Sequence, residues 1–410
     1  MKVHWLQSPL RQSLLTYRFY SIPLIFGDKP IAEVYLSLND PHSFMLLQVL
    51  SDLETRFNIT FKLYLVTEQT PSPEVNVPLL KKWALKDANY IASKYGLSHV
   101  EQFPGIKTLI TGQQTWLLHV KNVQDALMVF KDTWFDQYTD HFPLSTPVIT
   151  AQINNQRKLF KRGHHATGSI FFCGEWFLGV DRLEHLEFLL NEKGLSKEGE
   201  KVTYDKNRLQ IFDKQDIQIT GADIIAFVSL NCPFSYLGLL QAKKLSVHYK
   251  IPLVIKPLLP VSMRGVIVPE YKQRYMVIDA AREAKKLNIP FKGYVDPLKE
   301  GVINIYKIFL FAQQQNKSFE FMEAAFKAVF VEEIDLSFEK NIKKICQQIK
   351  LDHQLAIEFG KTNNWQQWSD HNHSTLNNMG LWGVPCFSYK EIFCWGQDRL
   401  VQIEDAILSS

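Results

Sequence analysis

The sequence lacks the cysteine patterns of a disulfide framework or a zinc site. Its five cysteines are odd in number, and its 410 residues contain no C-x-x-C pair. So few cysteines without regular spacing indicate a reduced, cytoplasmic protein. The neighbours His164 and His165, and the pair His371 and His373, have no partner cysteines at zinc-ligand spacing. We therefore predict no metal site.

Long apolar runs and an excess of one charge are also missing. No stretch approaches the roughly 18 apolar residues of a membrane span, and Met1–Tyr20 lacks the continuous apolar core of a signal peptide. The 46 basic and 42 acidic residues are scattered, for a net charge of +4. Such a balance does not support binding to nucleic acid or to a membrane surface. With 46% hydrophobic residues, the length predicts two or three globular domains.

An internal repeat is the strongest feature that the sequence contains. The segments Ser37–Phe44 and Ser229–Tyr236 match at an offset of 192 residues. Near the end of each half, Gly179–Leu183 matches Gly396–Leu400 at an offset of 217. The change in offset predicts that the second copy carries about 25 extra residues in its middle.

Each half shows the same order of predicted elements. A strand (Glu33–Leu38 or Ile224–Leu230) leads into a helix that begins with proline (Pro41–Phe57 or Pro233–Tyr249). A second strand, a long helical region, a hairpin and a closing helix follow. This order predicts an α/β fold with two tandem thioredoxin-like domains, each with an α-helical insertion. The extra residues are expected within the second insertion, between about Pro290 and His373.

The predicted domain boundaries follow from the repeat and from local composition. Residues 191–221 are rich in charged and amide side chains and are read as a linker. We therefore predict an N-terminal segment at 1–30, a degenerate thioredoxin-like domain at 31–190, and a second domain with an active-site cysteine at 222–410.

Cys232 is the candidate nucleophile, because a strand delivers it to a helix that begins at Pro233. The unsatisfied backbone N–H groups there favour a thiolate, so the thiol pKa is expected below about 8.5. The alternative is a small apolar core cysteine. Ser235 stands where a dithiol oxidase needs its second thiol, so this motif cannot close an internal disulfide. Ser235 either donates a hydrogen bond to the sulfur or caps the helix.

The second half resembles the 2-hydroxychromene-2-carboxylate isomerases and the kappa-class glutathione transferases, within the DsbA-like branch of the thioredoxin superfamily. The motifs that carry the resemblance are Cys232–Gly238, Tyr275–Arg282 with Ile289–Phe291, Gly383–Pro385 and Phe393–Leu400. Those families commonly have serine where this chain has Cys232. A cysteine there is similar to the glutaredoxin and omega-class arrangement, in which the protein thiol forms a mixed disulfide with glutathione.

The resemblance implies a glutathione site with glutathione as cosubstrate. Pro385 would be a cis-proline facing the thiol, and Val384 would offer its N–H and C=O to the cysteinyl part of glutathione. Asp398, with Gln397 beside it, would bind the γ-glutamyl group, and Lys272 the glycine carboxylate. The alternatives are a trans Pro385, a helix-capping role for Asp398 and a solvated Lys272, since Pro269 is displaced from its place in the family pattern.

The first half lacks this chemistry. Asp40 replaces the thiol, and Ile170 is aligned with Pro385. A carboxylate is not a soft nucleophile, and isoleucine does not favour a cis bond. We expect a structural or partner-docking domain; the alternative is that Asp40 binds another ligand.

These observations together predict a glutathione-linked thiol enzyme. It would act on a small electrophilic or disulfide substrate, as a thiol transferase or an isomerase, without nucleic acid or membrane partners and with an open oligomeric state. The alternative is a duplicated, non-enzymatic scaffold that binds a protein or small ligand. Cys232 is expected to be the one strongly reactive cysteine, since Cys173, Cys386 and Cys394 are placed in hairpin strands and Cys346 on a helix.

Overall fold

The computed structural model describes residues 8–25, 30–67, 77–197, 199, 201–211 and 221–409. The chain divides into two compact units, one covering Pro9–Lys206 and the other containing Asn207–Ser410. Each unit has one four-stranded sheet. No helix in the described ranges is long and apolar enough to cross a membrane.

The first unit has the strand order β2-β1-β3-β4, with β1 and β2 parallel and the other pairs antiparallel. Its elements are α1 (Pro9–Thr16), a π-helical turn (Tyr17–Ser21), α2 (Ile22–Ile25), β1 (Ile31–Leu36), α3 (Pro41–Arg56), β2 (Thr60–Leu65), α4 (Val77–Tyr95), α5 (Ile106–His119), α6 (Val123–Trp134), α7 (Thr146–Lys161), β3 (Ser169–Phe172), β4 (Glu175–Leu178), a 3-10 turn (Val180–Arg182) and α8 (Leu183–Glu192).

The residues before the first repeat pack against the β3–β4 hairpin of this unit. The Phe19 ring lies 5.2 Å from the Phe171 ring, and Tyr20 lies 5.7 Å from Phe172. Gly174 in the hairpin turn permits this approach, because a Cβ there would come within 2.6 Å of Leu15 Cβ. The segment that the sequence left without a place therefore belongs to the first unit.

The second unit has the strand order β6-β5-β7-β8 with the same directions, β5 and β6 being parallel. Its elements are β5 (Ile224–Val228), α9 (Pro233–His248), β6 (Leu253–Pro257), a 3-10 turn (Val261–Arg264), α10 (Glu270–Lys286), α11 (Leu298–Gln314), α12 (Ser318–Phe330), α13 (Glu339–Gln348), α14 (His353–Thr362), α15 (Trp365–Asn378), β7 (Cys386–Tyr389), β8 (Ile392–Trp395), a 3-10 turn (Gln397–Arg399) and α16 (Leu400–Leu408).

The first strand of each sheet and the following helix form the centre of each core. Ala226 and Phe227 on β5 are fully buried, as are Leu237 and Leu239 on α9. Gly238 lets α9 pack closely on the sheet, because a Cβ there would come within 2.6 Å of Phe387 Cζ. Burial of such apolar side chains contributes about 1.5–3 kcal/mol each.

The two insertions differ in length at one place. Helices α5 and α11 begin 192 residues apart, at Ile106 and Leu298. Helices α7 and α15 end 217 residues apart, at Lys161 and Asn378. The extra residues of the second unit therefore lie between α12 and α15, where α13 and α14 are found, and this is within the predicted interval.

The sheet registers correct one alignment made from the sequence. Tyr35 on β1 pairs with Ser169, and Phe227, 192 residues later, pairs with Cys386. Gly168 therefore occupies the position of Pro385, and the assignment of Ile170 to that position was wrong by two residues. The error arose because a shared glycine was used as the anchor, whereas register is fixed by the burial of alternate strand residues.

Candidate active site

Cys232 lies at the N-terminus of α9, in the junction that follows β5. It is the N-cap residue, with extended backbone dihedral angles (φ −98°, ψ 113°), and Pro233 fills the first helical position. Its thiol donates a hydrogen bond to the carbonyl oxygen of Val384, 3.6 Å from Sγ. The structure thus brings Cys232 and Val384 together, although the cysteine is only 6% exposed.

The segment opposite Cys232 is held in place on both sides. The Val384–Pro385 peptide bond is cis, and the Pro385 carbonyl accepts a 2.8 Å hydrogen bond from the Gly396 N–H. Before it, Gly383 lies against Trp395, where a Cβ would come within 2.1 Å of the indole. The position of Val384 beside the thiol is therefore fixed by packing around residues 383–396.

The expectation of a depressed Cys232 pKa is wrong for this closed site. Burial raises the pKa of the thiol above its ordinary value, while the Ser235 hydroxyl and the backbone N–H groups of Ser235 and Phe234 act in the opposite direction. Desolvation disfavours the thiolate more than the helix N-terminus stabilises it. The sequence identified the stabilising groups but could not show the depth of burial.

Ser235 has a structural hydrogen bond in addition to its contact with the thiol. Its Oγ accepts a 3.1 Å hydrogen bond from the backbone N–H of Ser229, at the end of β5. The residue is fully buried. Its hydroxyl therefore both ties α9 to the preceding strand and faces the Cys232 sulfur.

Gln397 and Asp398 lie together beside α9, at the 3-10 turn before α16. The Gln397 side-chain nitrogen is 2.5 Å from Asp398 Oδ1 and 3.1 Å from Glu283 Oε2. A Cβ at Gly238, six residues along α9 from Cys232, would lie 3.3 Å from Gln397 Cβ. Gln397 is buried and Asp398 is half-buried.

A small cavity adjoins this pair. Its volume is about 20 Å³, which holds about one water molecule. The residues that line it carry charges of both signs and side-chain amides: Asn207, Arg208, Leu209, Gln241, Glu283, Lys286, Leu287, Gln397, Asp398 and Val401.

Lys272 is the predicted site residue that the structure does not bring to this cavity. It lies in the first turn of α10 and its surface is exposed to solvent. Neighbouring atoms still desolvate its ammonium group partly and lower its pKa. The geometry therefore leaves its proposed contact with a carboxylate untested.

Arg264 is a candidate that the sequence reasoning missed. Its guanidinium contacts His373 Nε2 and donates a 3.3 Å hydrogen bond to the carbonyl of Trp382, two residues before Val384. It is half-buried and its Nε has no hydrogen-bond partner. Within the described ranges it forms no ion pair with a carboxylate, and burial lowers its pKa. Since buried cations are normally paired, Arg264 is a candidate anion-binding group; no motif marks it.

Aromatic side chains form a wall on the insertion side of Cys232. The rings of Tyr236 and Tyr294 each lie 5.7 Å from the ring of Phe330. Burial, then Asp296, then the Cys232 charge raise the pKa of Tyr294, so its phenol lies within electrostatic range of the thiol. Such a wall suits the flat or apolar part of a ligand.

The corresponding position of the first unit is occupied by a saturated carboxylate. Asp40 accepts hydrogen bonds from the backbone N–H groups of His42 and Ser43, and from the hydroxyls of Ser43 and Thr167, at 2.7–3.1 Å. Thr167 and Gly168 stand where the second unit has Val384 and Pro385. Asp40 is thus a helix cap whose acceptor capacity is used within the protein.

A second carboxylate holds His42 beside this cap. His42 Nε2 lies 3.0 Å from Asp87 Oδ2, and Nδ1 lies 3.7 Å from Asp40 Oδ1. Burial lowers the pKa of His42, but the hydrogen bonds and charges of Asp40 and Asp87 outweigh it and raise the pKa to about 10. His42 is therefore an imidazolium at neutral pH.

The other cysteines are buried free thiols. Burial raises the pKa of Cys346 to about 11 and of Cys173 to about 12, and raises that of Cys386 well above its usual range. Cys173 lies in the β3–β4 turn with φ +51°, not in a strand as expected. Among the described residues, no group of three or more histidines, cysteines and acidic residues is arranged to hold a metal ion.

Comparisons with known proteins agree with the fold of the second unit. Residues 223–408 match the model of the DSBA-like thioredoxin domain. A 2-hydroxychromene-2-carboxylate isomerase structure is 21% identical, covers 45% of this chain and 94% of its own, and has a TM-score of 0.39. The cytosolic disulfide reductase DsbM from Pseudomonas aeruginosa is 15% identical, with coverages of 46% and 95% and a TM-score of 0.33.

A thioredoxin-like oxidoreductase from Silicibacter pomeroyi is also similar, at 15% identity, coverages of 46% and 87%, and a TM-score of 0.32. The comparison with curated proteins gives no match. The family match begins at the residue before β5 and ends at the last residue of α16. Residues 223–408 thus form a DSBA-like thioredoxin domain.

Proposed function

We propose that the second unit is a glutathione-linked thiol enzyme with Cys232 as its nucleophile. The observation that carries the proposal is the 3.6 Å contact between the Cys232 thiol and the Val384 carbonyl, at the start of a helix. A ligand peptide that pairs with the Val384 backbone would bring its own sulfur to Cys232. Glutathione fits this description as cosubstrate, and a reduced compartment suits the chemistry.

Thiol transfer is the preferred reaction, because position 232 carries a thiol. The Cys232 thiolate attacks one sulfur of a glutathione disulfide, the S–S bond breaks, and one glutathione leaves as its thiolate. A second glutathione thiolate then attacks the mixed disulfide and regenerates Cys232. The Ser235 hydroxyl and the N–H groups of the first helical turn stabilise the thiolate. In the isomerase alternative, glutathione adds to an electrophilic carbon and leaves after bond rotation.

Arg264 supplies the charge that an anionic ligand group needs at this site. Its guanidinium has an unpaired Nε and no carboxylate partner among the described residues. A carboxylate of glutathione or of the second substrate would complete its bonding. Lys272, Gln397 and Asp398 remain proposed contacts for the two ends of glutathione.

We further propose that the two units arose by duplication and that the first is a structural or docking domain. Their sheets have the same strand order and directions, and the helices around them follow the two sequence offsets. Asp40 cannot act as a nucleophilic thiol, and its acceptor sites are already filled.

Mass spectrometry after incubation with oxidised glutathione tests the enzyme proposal. We expect one glutathione adduct, on the peptide that contains Cys232, and no adduct there in Cys232→Ser. The adduct should be released by reduced glutathione. No adduct, or adducts on other cysteines at equal rates, would favour the non-enzymatic scaffold.

A further inference from the structure

A short segment outside the matched domain covers one end of the candidate glutathione site. Asn207, Arg208 and Leu209 line the cavity beside Gln397 and Asp398, yet the family match begins only at residue 223. The second unit therefore carries a piece of chain that its thioredoxin-like domain does not require for its fold.

A buried glutamate holds this segment. Glu404 on α16 accepts hydrogen bonds from the backbone N–H groups of Gln210 and Ile211, at 2.8 and 2.6 Å, and from the Tyr249 hydroxyl at 2.9 Å. Glu404 is 1% exposed. Charge-assisted hydrogen bonds to a buried carboxylate are among the stronger ones in proteins.

The held segment includes a strained residue. Ile211 has φ +50°, a conformation that costs a β-branched residue free energy and persists only when its surroundings impose it. Glu404 supplies that constraint through the Ile211 N–H. Loss of the Glu404 contact would therefore favour release of the segment.

The covered end lies where a glutathione arm would reach. Gln397 lies beside Gly238, six residues from Cys232, and a helix rises 1.5 Å per residue, which gives about 9 Å along α9. An arm of two to three residue lengths spans at most roughly 7–10 Å. With the segment in place, the cavity has room for about one water molecule and not for a γ-glutamyl group.

We propose that the segment Asn207–Ile211 is an autoinhibitory strap, held closed by Glu404 over the Gln397–Asp398 end of the thiol site. A glutathione disulfide must displace the strap before its γ-glutamyl arm can dock, whereas a small disulfide without that arm need not. The proposal rests on the glutathione site described above and adds its regulation.

The first test compares two disulfides in their reaction with Cys232, which forms a mixed disulfide and releases one thiolate in each case. We expect Glu404→Gln to raise the rate with oxidised glutathione at least fivefold, and to leave the rate with 2-hydroxyethyl disulfide unchanged. Tyr249→Phe is the matched control, because it removes the third Glu404 bond and leaves the strap bonds. An unchanged ratio of the two rates in Glu404→Gln would overturn the strap.

The second test does not depend on the thiol chemistry. In Cys232→Ala, reduced glutathione at millimolar concentration should increase hydrogen exchange of the peptide that contains residues 207–211. Increased exchange supports the strap even if Cys232 forms no adduct, in which case only the proposed reaction fails. Unchanged or slower exchange overturns the strap, even if Cys232 proves reactive. Glu187→Gln, which alters the equivalent carboxylate of the first unit, should affect neither measurement.

Discussion

The backbone N–H of Ser229 donates a 3.1 Å hydrogen bond to the Oγ of Ser235. In the first unit, the Ser37 N–H donates to the Ser43 Oγ at the same distance. Each serine is fully buried at the start of its helix. The hydroxyl at this place therefore has a structural role that does not require a neighbouring thiol.

Replacement of these serines should separate the structural role from the chemical one. Ser235→Ala leaves a buried N–H unsatisfied and should cost about 1–3 kcal/mol of unfolding free energy, as should Ser43→Ala. Only Ser235→Ala should also raise the pKa of Cys232, because the hydroxyl lowers it. Urea unfolding and the pH dependence of Cys232 alkylation measure the two effects. A Cys232 pKa shift in Ser43→Ala would contradict this assignment.

Cys232 should be alkylated before the other four cysteines, at a rate that rises with pH. Its raised pKa means that little thiolate exists at mildly acidic pH, so the rate should increase about tenfold per unit toward pH 9. The other thiols are more deeply desolvated or lack helix N–H donors. Peptide mapping with limiting iodoacetamide checks the order. Faster labelling of Cys173 or Cys346 would refute it.

Arg264→Met should weaken ligand binding while it stabilises the free protein. Loss of an ionic hydrogen bond of about 1.5–3 kcal/mol predicts an affinity for oxidised glutathione at least tenfold lower. Removal of a buried, unpaired charge should raise the unfolding free energy by about 1 kcal/mol. Calorimetry in a Cys232→Ser background measures binding. Arg274→Gln is the control, because Arg274 is exposed and already paired with Glu270.

The His42 imidazolium should make the first unit less stable at high pH. Because its folded pKa is raised to about 10 from 6.5, its stabilising effect is complete below pH 6.5 and is lost as the pH rises toward 10. His42→Asn should cost about 1–3 kcal/mol at pH 6 and little at pH 10. Urea midpoints of both proteins across this range give the difference. A difference that does not depend on pH would argue against the charged pair with Asp87.

Gly383→Ala should disturb the thiol site from the far side of Val384. A Cβ there would lie 2.1 Å from the Trp395 ring, so the indole must move, at a cost of about 1–3 kcal/mol. We expect reduced stability and a shift in tryptophan fluorescence. Gly105→Ala is the control, because its nearest contact would be 3.9 Å away and its effect should be small.

Local patterns in the sequence were sufficient to predict the elements around Cys232 and the place of Val384. Strand and helix starts at Ile224 and Pro233 agree with the structure, because proline and apolar alternation act locally. Burial of the thiol depends on side chains from distant segments such as Tyr294, so its pKa was predicted in the wrong direction. Arg264 was missed for a similar reason: a single arginine has no spacing to recognise.

The bonding of Asp40 has a consequence for how the first unit can change. A cysteine at position 40 would not create a thiol site there, because two backbone N–H groups and two hydroxyls now depend on the carboxylate. Sulfur is a weak acceptor and would leave several of them unsatisfied, beside an imidazolium that had lost one of its two counter-charges. Several substitutions would have to occur together, and each intermediate would be less stable, so evolution away from a thiol at this position is difficult to reverse.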